Sequence, residues 1–228
     1  RPLRVAARAA EAADARAAAR STPRIASFFA TPVYRRSLRS SPEEVELLNR
    51  ELAVEAFQFL DIDDEGQRWS GANYRGGYTS FASFRALHRV SSTFGQLERW
   101  LAPHARAFAE YLEFENPEAL TMTDCWVNVM PEGTTHGLHL HPSATISGTY
   151  YVQTPAGCSG IRFEDPRLDR MMAAPQRRTD ARRRNRQVVE YPAREGEVVL
   201  FESWLRHSVA ANPVDDERIS VSFNYHWC

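Results

Sequence analysis

Two hydrophobic rhythms divide the chain. Between residues 41 and 112 apolar side chains recur every three or four positions, the period of a helix with one buried face. Ser41-Pro42-Glu43-Glu44 supplies a capping hydroxyl, a proline at the first helical position and a glutamate three residues past the cap. Leu47, Leu48, Leu52, Phe57 and Leu60 follow, which predicts a helix over about 42–59. Ser92 opens a second apolar series through Phe94, Leu97, Leu101, Phe108 and Leu112, in which Pro103 predicts a kink or a break. The polar, glycine-rich stretch 61–80 reads as a long loop, and 25–34 as a strand broken by Pro32.

After Pro117 the period becomes two. Short apolar runs separated by Pro, Gly, Asn and Asp predict strands at roughly 119–130, 137–141, 146–153, 160–164, 187–191, 197–201, 206–211 and 218–227. Eight short strands after a helical half exclude an interleaved parallel α/β sheet. They predict a mainly β domain with flanking helices, an α+β arrangement built on a jelly roll. No internal repeat is visible.

The length of 228 residues suits one large domain with appendages. The expected division is an Ala/Arg-rich extension over 1–24 and one domain over 25–228, with helical support at 42–113, a jelly-roll core at 119–227 and an arginine-rich loop at 167–186. Residues 1–24 read as a loosely attached helix or a targeting remnant. All 28 basic residues are arginine, against 29 acids, so the balance excludes a uniformly basic nucleic-acid binder. The charge is uneven, since six arginines fall in 1–24 and eight in 167–186. Three cysteines at no disulfide or metal spacing suggest a reducing, cytoplasmic compartment, and no apolar run reaches the ~18 residues a membrane span needs.

The candidate chemistry lies in His136-Gly-Leu-His139-Leu-His141. Residues two apart in a strand face the same side, so His139 and His141 point together, either to solvent or toward one metal. His207, on a later strand, is the third imidazole that favours the metal; three such ligands suit Fe, Cu, Zn or Ni. In Arg218-Ile-Ser220-Val-Ser222-Phe-Asn224, strict alternation turns Arg218 and its polar neighbours to the barrel interior. A buried guanidinium must meet a carboxylate, from the protein or from an acidic ligand.

The ordered set His139-Leu-His141-Pro142, Ser147-Gly148-Thr-Tyr150-Tyr151, Asp165-Pro166-Arg167, Pro192-x-x-x-Gly196, His207-x-Val209 and Arg218 to Asn224 resembles the double-stranded β-helix of bacterial 2-oxoglutarate/Fe(II)-dependent oxygenases over about 119–226. The resemblance implies His139 and His207 as iron ligands, Arg218 on the distal carboxylate of 2-oxoglutarate, Tyr151 and Ser220 as further co-substrate contacts, and Asn128 and Met130 as pocket-lining residues. It implies Fe(II), 2-oxoglutarate and O2, with hydroxylation of a small molecule or of an amino-acid or peptide side chain and release of succinate and CO2. This chain departs from the usual His-x-Asp or His-x-Glu pair by carrying His141, which the two-residue spacing favours as the third ligand; Asp165, Glu132 or His136 are the alternatives. A three-histidine cupin-like dioxygenase that does not use 2-oxoglutarate, and a non-catalytic barrel for an acidic ligand, are the rival readings. The arginine-rich loop is either a lid that recruits an anionic substrate or a solvated segment. Nucleic acid is disfavoured as a partner, and self-association stays open.

Overall fold

The computed structural model describes residues 25–228, so the expectations for 1–24 lie outside the described residues. The architecture below belongs to the unit Pro32–Cys228. In chain order it runs β1 (Val33–Ser37), α1 (Pro42–Ile62), α2 (Asp64–Asn73), β2 (Tyr78–Thr79), α3 (Leu87–Val90), α4 (Ser92–Tyr111), β3 (Leu120–Met130), β4 (His136–His139), β5 (Ile146–Gln153), β6 (Ile161–Glu164), β7 (Val188–Tyr191), β8 (Glu197–Glu202), β9 (His207–Val209) and β10 (Arg218–Trp227). One sheet has the order β1-β8-β5-β10-β3-β2 and the other β4-β9-β6-β7, and all strand pairings within them are antiparallel. From β3 onward the chain passes repeatedly between the two sheets, which is how a double-stranded β-helix closes on itself.

The two faces of the larger sheet do different work, and the alternation along β10 shows it. Ile219, Val221 and Phe223 pack outward with Leu48, Leu52 and Ala56 of α1 and Phe94, Leu97, Leu101 and Phe108 of α4. At about 1.5–3 kcal/mol for each large apolar side chain removed from water, this helical layer is the main hydrophobic anchor of the sheet. On the inner face Tyr151, Val199 and Phe201 meet Ile161 and Phe163 of the smaller sheet. The remaining inner positions, among them Trp126, Asn128, Met130, Arg218 and Ser220, surround the site.

Helix α1 begins as expected, with the Ser41 hydroxyl accepting from the Glu44 N–H at 3.3 Å. Helix α4 opens at Ser92 as expected, with Ser91 as its cap, accepting from the Thr93 and Phe94 N–H groups at 3.1 and 3.2 Å. It runs unbroken through Pro103, because burial of its apolar face outweighs the one hydrogen bond the proline cannot make. The strand expected over 25–34 instead begins after Pro32, where Val33 pairs with Phe201.

The largest correction concerns 61–80, expected as a loop. Residues 64–73 are helical although their polar sequence has no apolar stripe. The cause is Asp63, buried to 3 % exposure, whose carboxylate accepts from the Gly66 N–H at 2.8 Å, the Tyr78 hydroxyl at 2.8 Å and the Ser83 hydroxyl. One side chain thus caps α2 and fastens the strap leading to β2. Replacing it leaves three donors unsatisfied, so Asp63→Ala is expected to lower unfolding free energy by about 3 kcal/mol in urea titration, with Asp64→Ala as the near-neutral control.

Candidate metal centre

Strand β4 is only four residues long and its register against β9 shifts between His136 and His139. His139 pairs across to His207, while His141 lies past the strand end, where its N–H bonds the Ser203 carbonyl at 3.0 Å. The two imidazoles expected on one face of a continuous strand are therefore brought together by a strand and its exit turn. Ligand atoms of His139, His141 and His207 all lie within 4.8 Å of one another.

Each ring is oriented through the nitrogen that faces away from that meeting point. His139 Nδ1 lies 2.8 Å from the Gly137 carbonyl, and His207 Nδ1 2.9 Å from the Leu205 carbonyl. His141 Nδ1 lies 2.8 Å from Asn224 Oδ1 and 2.8 Å from the Ser147 hydroxyl. Because carbonyl and amide oxygens only accept, the proton resides on Nδ1 of each ring and the Nε2 lone pair is left free. The Asn224 amide is itself tied to Asp124 Oδ2 at 3.3 Å, so a carboxylate stands behind His141 at one remove. Three neutral imidazoles with converging lone pairs fit a divalent transition metal.

Burial favours the neutral rings. Desolvation is the largest cause in all four histidines, and it pushes His207 down to about 2 and His136 down to about 3, with the neighbouring imidazoles adding repulsion. His139 and His141 are lowered for the same first reason. His136 stacks on His139 with ring centroids 4.2 Å apart, yet it stands outside the convergent set. Nor do the acids join it. Asp165 is engaged by Arg167 at 2.9 Å and Arg170 at 3.0 Å, and Glu132 is exposed. Among the described residues the converging group is three histidines with no carboxylate.

The cavity beside these rings is lined by Trp126, Asn128, Met130, Thr149, Arg218 and Ser220, with Tyr74 closing one side. Arg218 is 2 % exposed. Its Nε donates to the Ser159 carbonyl at 2.9 Å, its Nη1 approaches Met130 Sδ at 3.1 Å and Ser220 Oγ at 3.3 Å, and its guanidinium lies 5.1 Å from the centre of the Tyr151 ring. Among the described residues no carboxylate comes within ion-pair distance of it. A cation so placed costs several kcal/mol unless an acid meets it. The hydroxyl of Tyr151 and Oδ1 of Asn128 are buried with no partner, while Asn128 Nδ2 donates to Ser222. Tyr150 points the other way, its hydroxyl bonding Asn49 Oδ1 among the helices.

With this geometry in place, comparison with known proteins is informative. Residues 124–224 match the family described as "Putative 2OG-Fe(II) oxygenase". The matched stretch, just under half of the chain, is the one that holds the three histidines and Arg218. Iron and 2-oxoglutarate are the cofactors of a family so described, and the three-histidine group is one that could hold the metal. A search of curated proteins returns no match. Among solved structures the chain shares its fold with the alpha-ketoglutarate-dependent epimerase SnoN from nogalamycin biosynthesis, at 19 % identity and TM-score 0.56 over 86 % of this chain and 76 % of that one. HygX from Streptomyces hygroscopicus, with nickel, 2-oxoglutarate and hygromycin B bound, aligns at 16 % identity and TM-score 0.53 over 86 % and 82 %. A Pseudomonas putida prolyl-4-hydroxylase aligns at 13 % identity and TM-score 0.54 over 87 % and 94 %.

Trp126, Tyr74 and Thr149 line the cavity but were not among the sequence candidates. Trp126 sits on β3 with its ring 5.8 Å from that of His141, and the alternation along β3 was a signal for it. Tyr74 follows α2 in the stretch read as loop, where no periodic signal exists. The arginine-rich loop holds two short 3-10 turns, Leu168–Met171 and Arg183–Asn185, and Arg183 lies 4.8 Å over the Tyr191 ring. No described helix is long and apolar enough to cross a membrane.

The depressed histidines make metal-free stability depend on pH. Unfolded imidazole binds a proton near 6.5 and folded His207 does not until about 2, so the stabilising contribution is full above pH 6.5 and is lost as pH falls toward 2. Lowering pH from 6.5 to 5.5 is expected to cost the metal-free protein about 1 kcal/mol from His207 alone, with the other three adding in the same direction. Urea titrations of chelated protein at the two pH values, compared with His207→Gln, measure it; an equal pH slope in the variant contradicts the assignment.

Proposed function

We propose that His139, His141 and His207 hold Fe(II) through Nε2 and that Arg218 holds 2-oxoglutarate, with hydroxylation of a small-molecule or amino-acid substrate in the cavity beside them. The observation that carries this reading is the buried Arg218, whose guanidinium has no acid partner among the described residues and borders the cavity that the three histidines share. A 2-oxoglutarate dianion supplies the missing carboxylate. It also offsets the metal charge, which three neutral ligands leave undiminished.

When bound, iron with 2-oxoglutarate and O2 supplies oxidation of a C–H bond coupled to loss of CO2 and formation of succinate. The chain's own residues orient and enclose. The backbone carbonyls of Gly137 and Leu205 and the Asn224 amide keep the three Nε2 atoms turned inward. Ser159 and Met130 fix the Arg218 fork, leaving Nη2 without a hydrogen bond among the described residues and available to the acid. Ser220 Oγ, beside Nη1, is a second polar group for the same carboxylate. Trp126, Phe201 and Val209 give the cavity apolar walls that exclude water from the reacting centre. Asn128 Oδ1, buried without a partner, is available to a donor on the substrate or co-substrate.

The cupin-like reading required Arg218 to be neutralised by a protein carboxylate, and it loses support because none stands beside it. Small-molecule substrates fit the company the fold keeps, since HygX is described with hygromycin B bound and SnoN with nogalamycin RO. Whether the substrate is anionic turns on the arginine loop, of which Arg167, Arg170 and Arg178 are already paired with acids.

Anaerobic addition of Fe(II) and 2-oxoglutarate is expected to give the visible charge-transfer band of a keto acid chelated to iron. Arg218→Ala should weaken 2-oxoglutarate at least a hundredfold, by loss of a buried charge-assisted pair, while leaving Fe(II) affinity within threefold. Asp165→Ala should bind iron as the parent does, whereas His207→Ala should not. An iron-binding loss in Asp165→Ala would move the third ligand to that acid.

A further inference from the structure

Tyr74 is contributed by the strap between α2 and β2, fifty residues before the matched family region begins. Its side chain is 2 % exposed, and its hydroxyl is buried with no hydrogen-bond partner among the described residues. An orphaned buried O–H is costly, and native proteins rarely leave one without a reason. The ring packs with Met130 and Val209 and stands edge-on to His136 at 5.1 Å between centroids, so it borders the cavity that contains Arg218. The Arg218 charge is near enough to act on this phenol, although burial dominates and raises its pKa far above the usual value.

The backbone is built to keep that ring in place. The Tyr74 N–H bonds the Ser70 carbonyl at 2.7 Å, ending α2, and the Gly77 N–H returns to the Tyr74 carbonyl at 3.0 Å. Gly76 takes a left-handed φ of +81°. A Cβ on Gly77 would lie 2.7 Å from Tyr74 Cε1 and 2.6 Å from Thr134 Cγ2, so only glycine lets the ring lie against the turn. Asp63 fastens both ends of the strap through Gly66 and Tyr78.

We infer that the Tyr74 hydroxyl is a donor to the same distal carboxylate that Arg218 receives, a co-substrate-binding residue supplied from outside the β-helix core. The inference rests on the assignment of 2-oxoglutarate to Arg218. A carboxylate has about four acceptor positions and the guanidinium fills at most two, so a second donor is accommodated. The phenol of Tyr151, whose ring lies under the Arg218 guanidinium, is likewise buried with no partner among the described residues.

The test compares the parent with Tyr74→Phe, which keeps the ring and removes only the hydroxyl. Dissociation constants for 2-oxoglutarate and for 2-oxobutanoate, which lacks the distal carboxylate, are read anaerobically from the Fe(II) charge-transfer band. Thermal melting of the metal-free proteins is recorded alongside. The expected result is about tenfold weaker 2-oxoglutarate in Tyr74→Phe, unchanged 2-oxobutanoate and Fe(II) affinity, and a metal-free melting temperature equal to or above the parent's because an unsatisfied O–H has gone. Equal weakening of both keto acids, or a lowered melting temperature with unchanged 2-oxoglutarate affinity, assigns Tyr74 to packing and overturns the inference. If the parent itself gives no band, the assignment of 2-oxoglutarate has failed; if the parent binds and Tyr74→Phe matches it, only the role of Tyr74 has.

Discussion

A guanidinium buried with no acid in ion-pair distance among the described residues is the constraint around which this molecule is arranged. Arg218 begins β10, the strand that lies between β3 and β5 in the larger sheet, and its fork is fixed by the Ser159 carbonyl and the Met130 sulfur. That placement requires the outer face of β10 to be anchored, which the packing of Ile219, Val221 and Phe223 against α1 and α4 provides. The helices thus contribute to the site without touching it. Their hydrophobic burial holds the strand whose polar face carries the charge.

The metal group depends on the same economy of backbone. Two of its three rings are oriented by main-chain carbonyls close in sequence, Gly137 for His139 and Leu205 for His207, so local chain geometry sets their tautomers. The third, His141, is oriented by Asn224 at the far end of the inward face of β10. Arg218 and Asn224 therefore place one strand in contact with both the buried guanidinium and the three-histidine group. In the proposed reading, three neutral imidazoles leave the full charge of a divalent metal to be met by the co-substrate, which would join the two groups electrostatically.

Much of this was legible in the sequence. The alternation in 218–224 predicted the inward Arg218 because β10 is buried on both faces by layers of opposite polarity, and period-two patterning reports such a strand directly. The start of the 42–62 helix was legible for a similar reason, since Ser41, Pro42 and Glu44 act within one turn. What escaped was what tertiary contact creates. The helix 64–73 has no apolar stripe and exists through the buried Asp63, although Asp63 followed by Asp64 and Glu65 carried a capping signal. Tyr74 reaches the cavity only because that helix ends where it does. His139 and His141 were rightly paired, but β4 stops at His139 and the exit turn, not the pleat, brings His141 round.

The central claim is that one buried arginine and three histidines form a single compartment for a metal-bound dicarboxylate. A crystal structure of the protein with nickel and 2-oxoglutarate tests it most directly. The account predicts nickel on Nε2 of His139, His141 and His207 with no protein carboxylate bound to it, and the distal carboxylate of 2-oxoglutarate against Arg218. Nickel held by an acidic side chain, or a 2-oxoglutarate carboxylate seated away from Arg218, would contradict it.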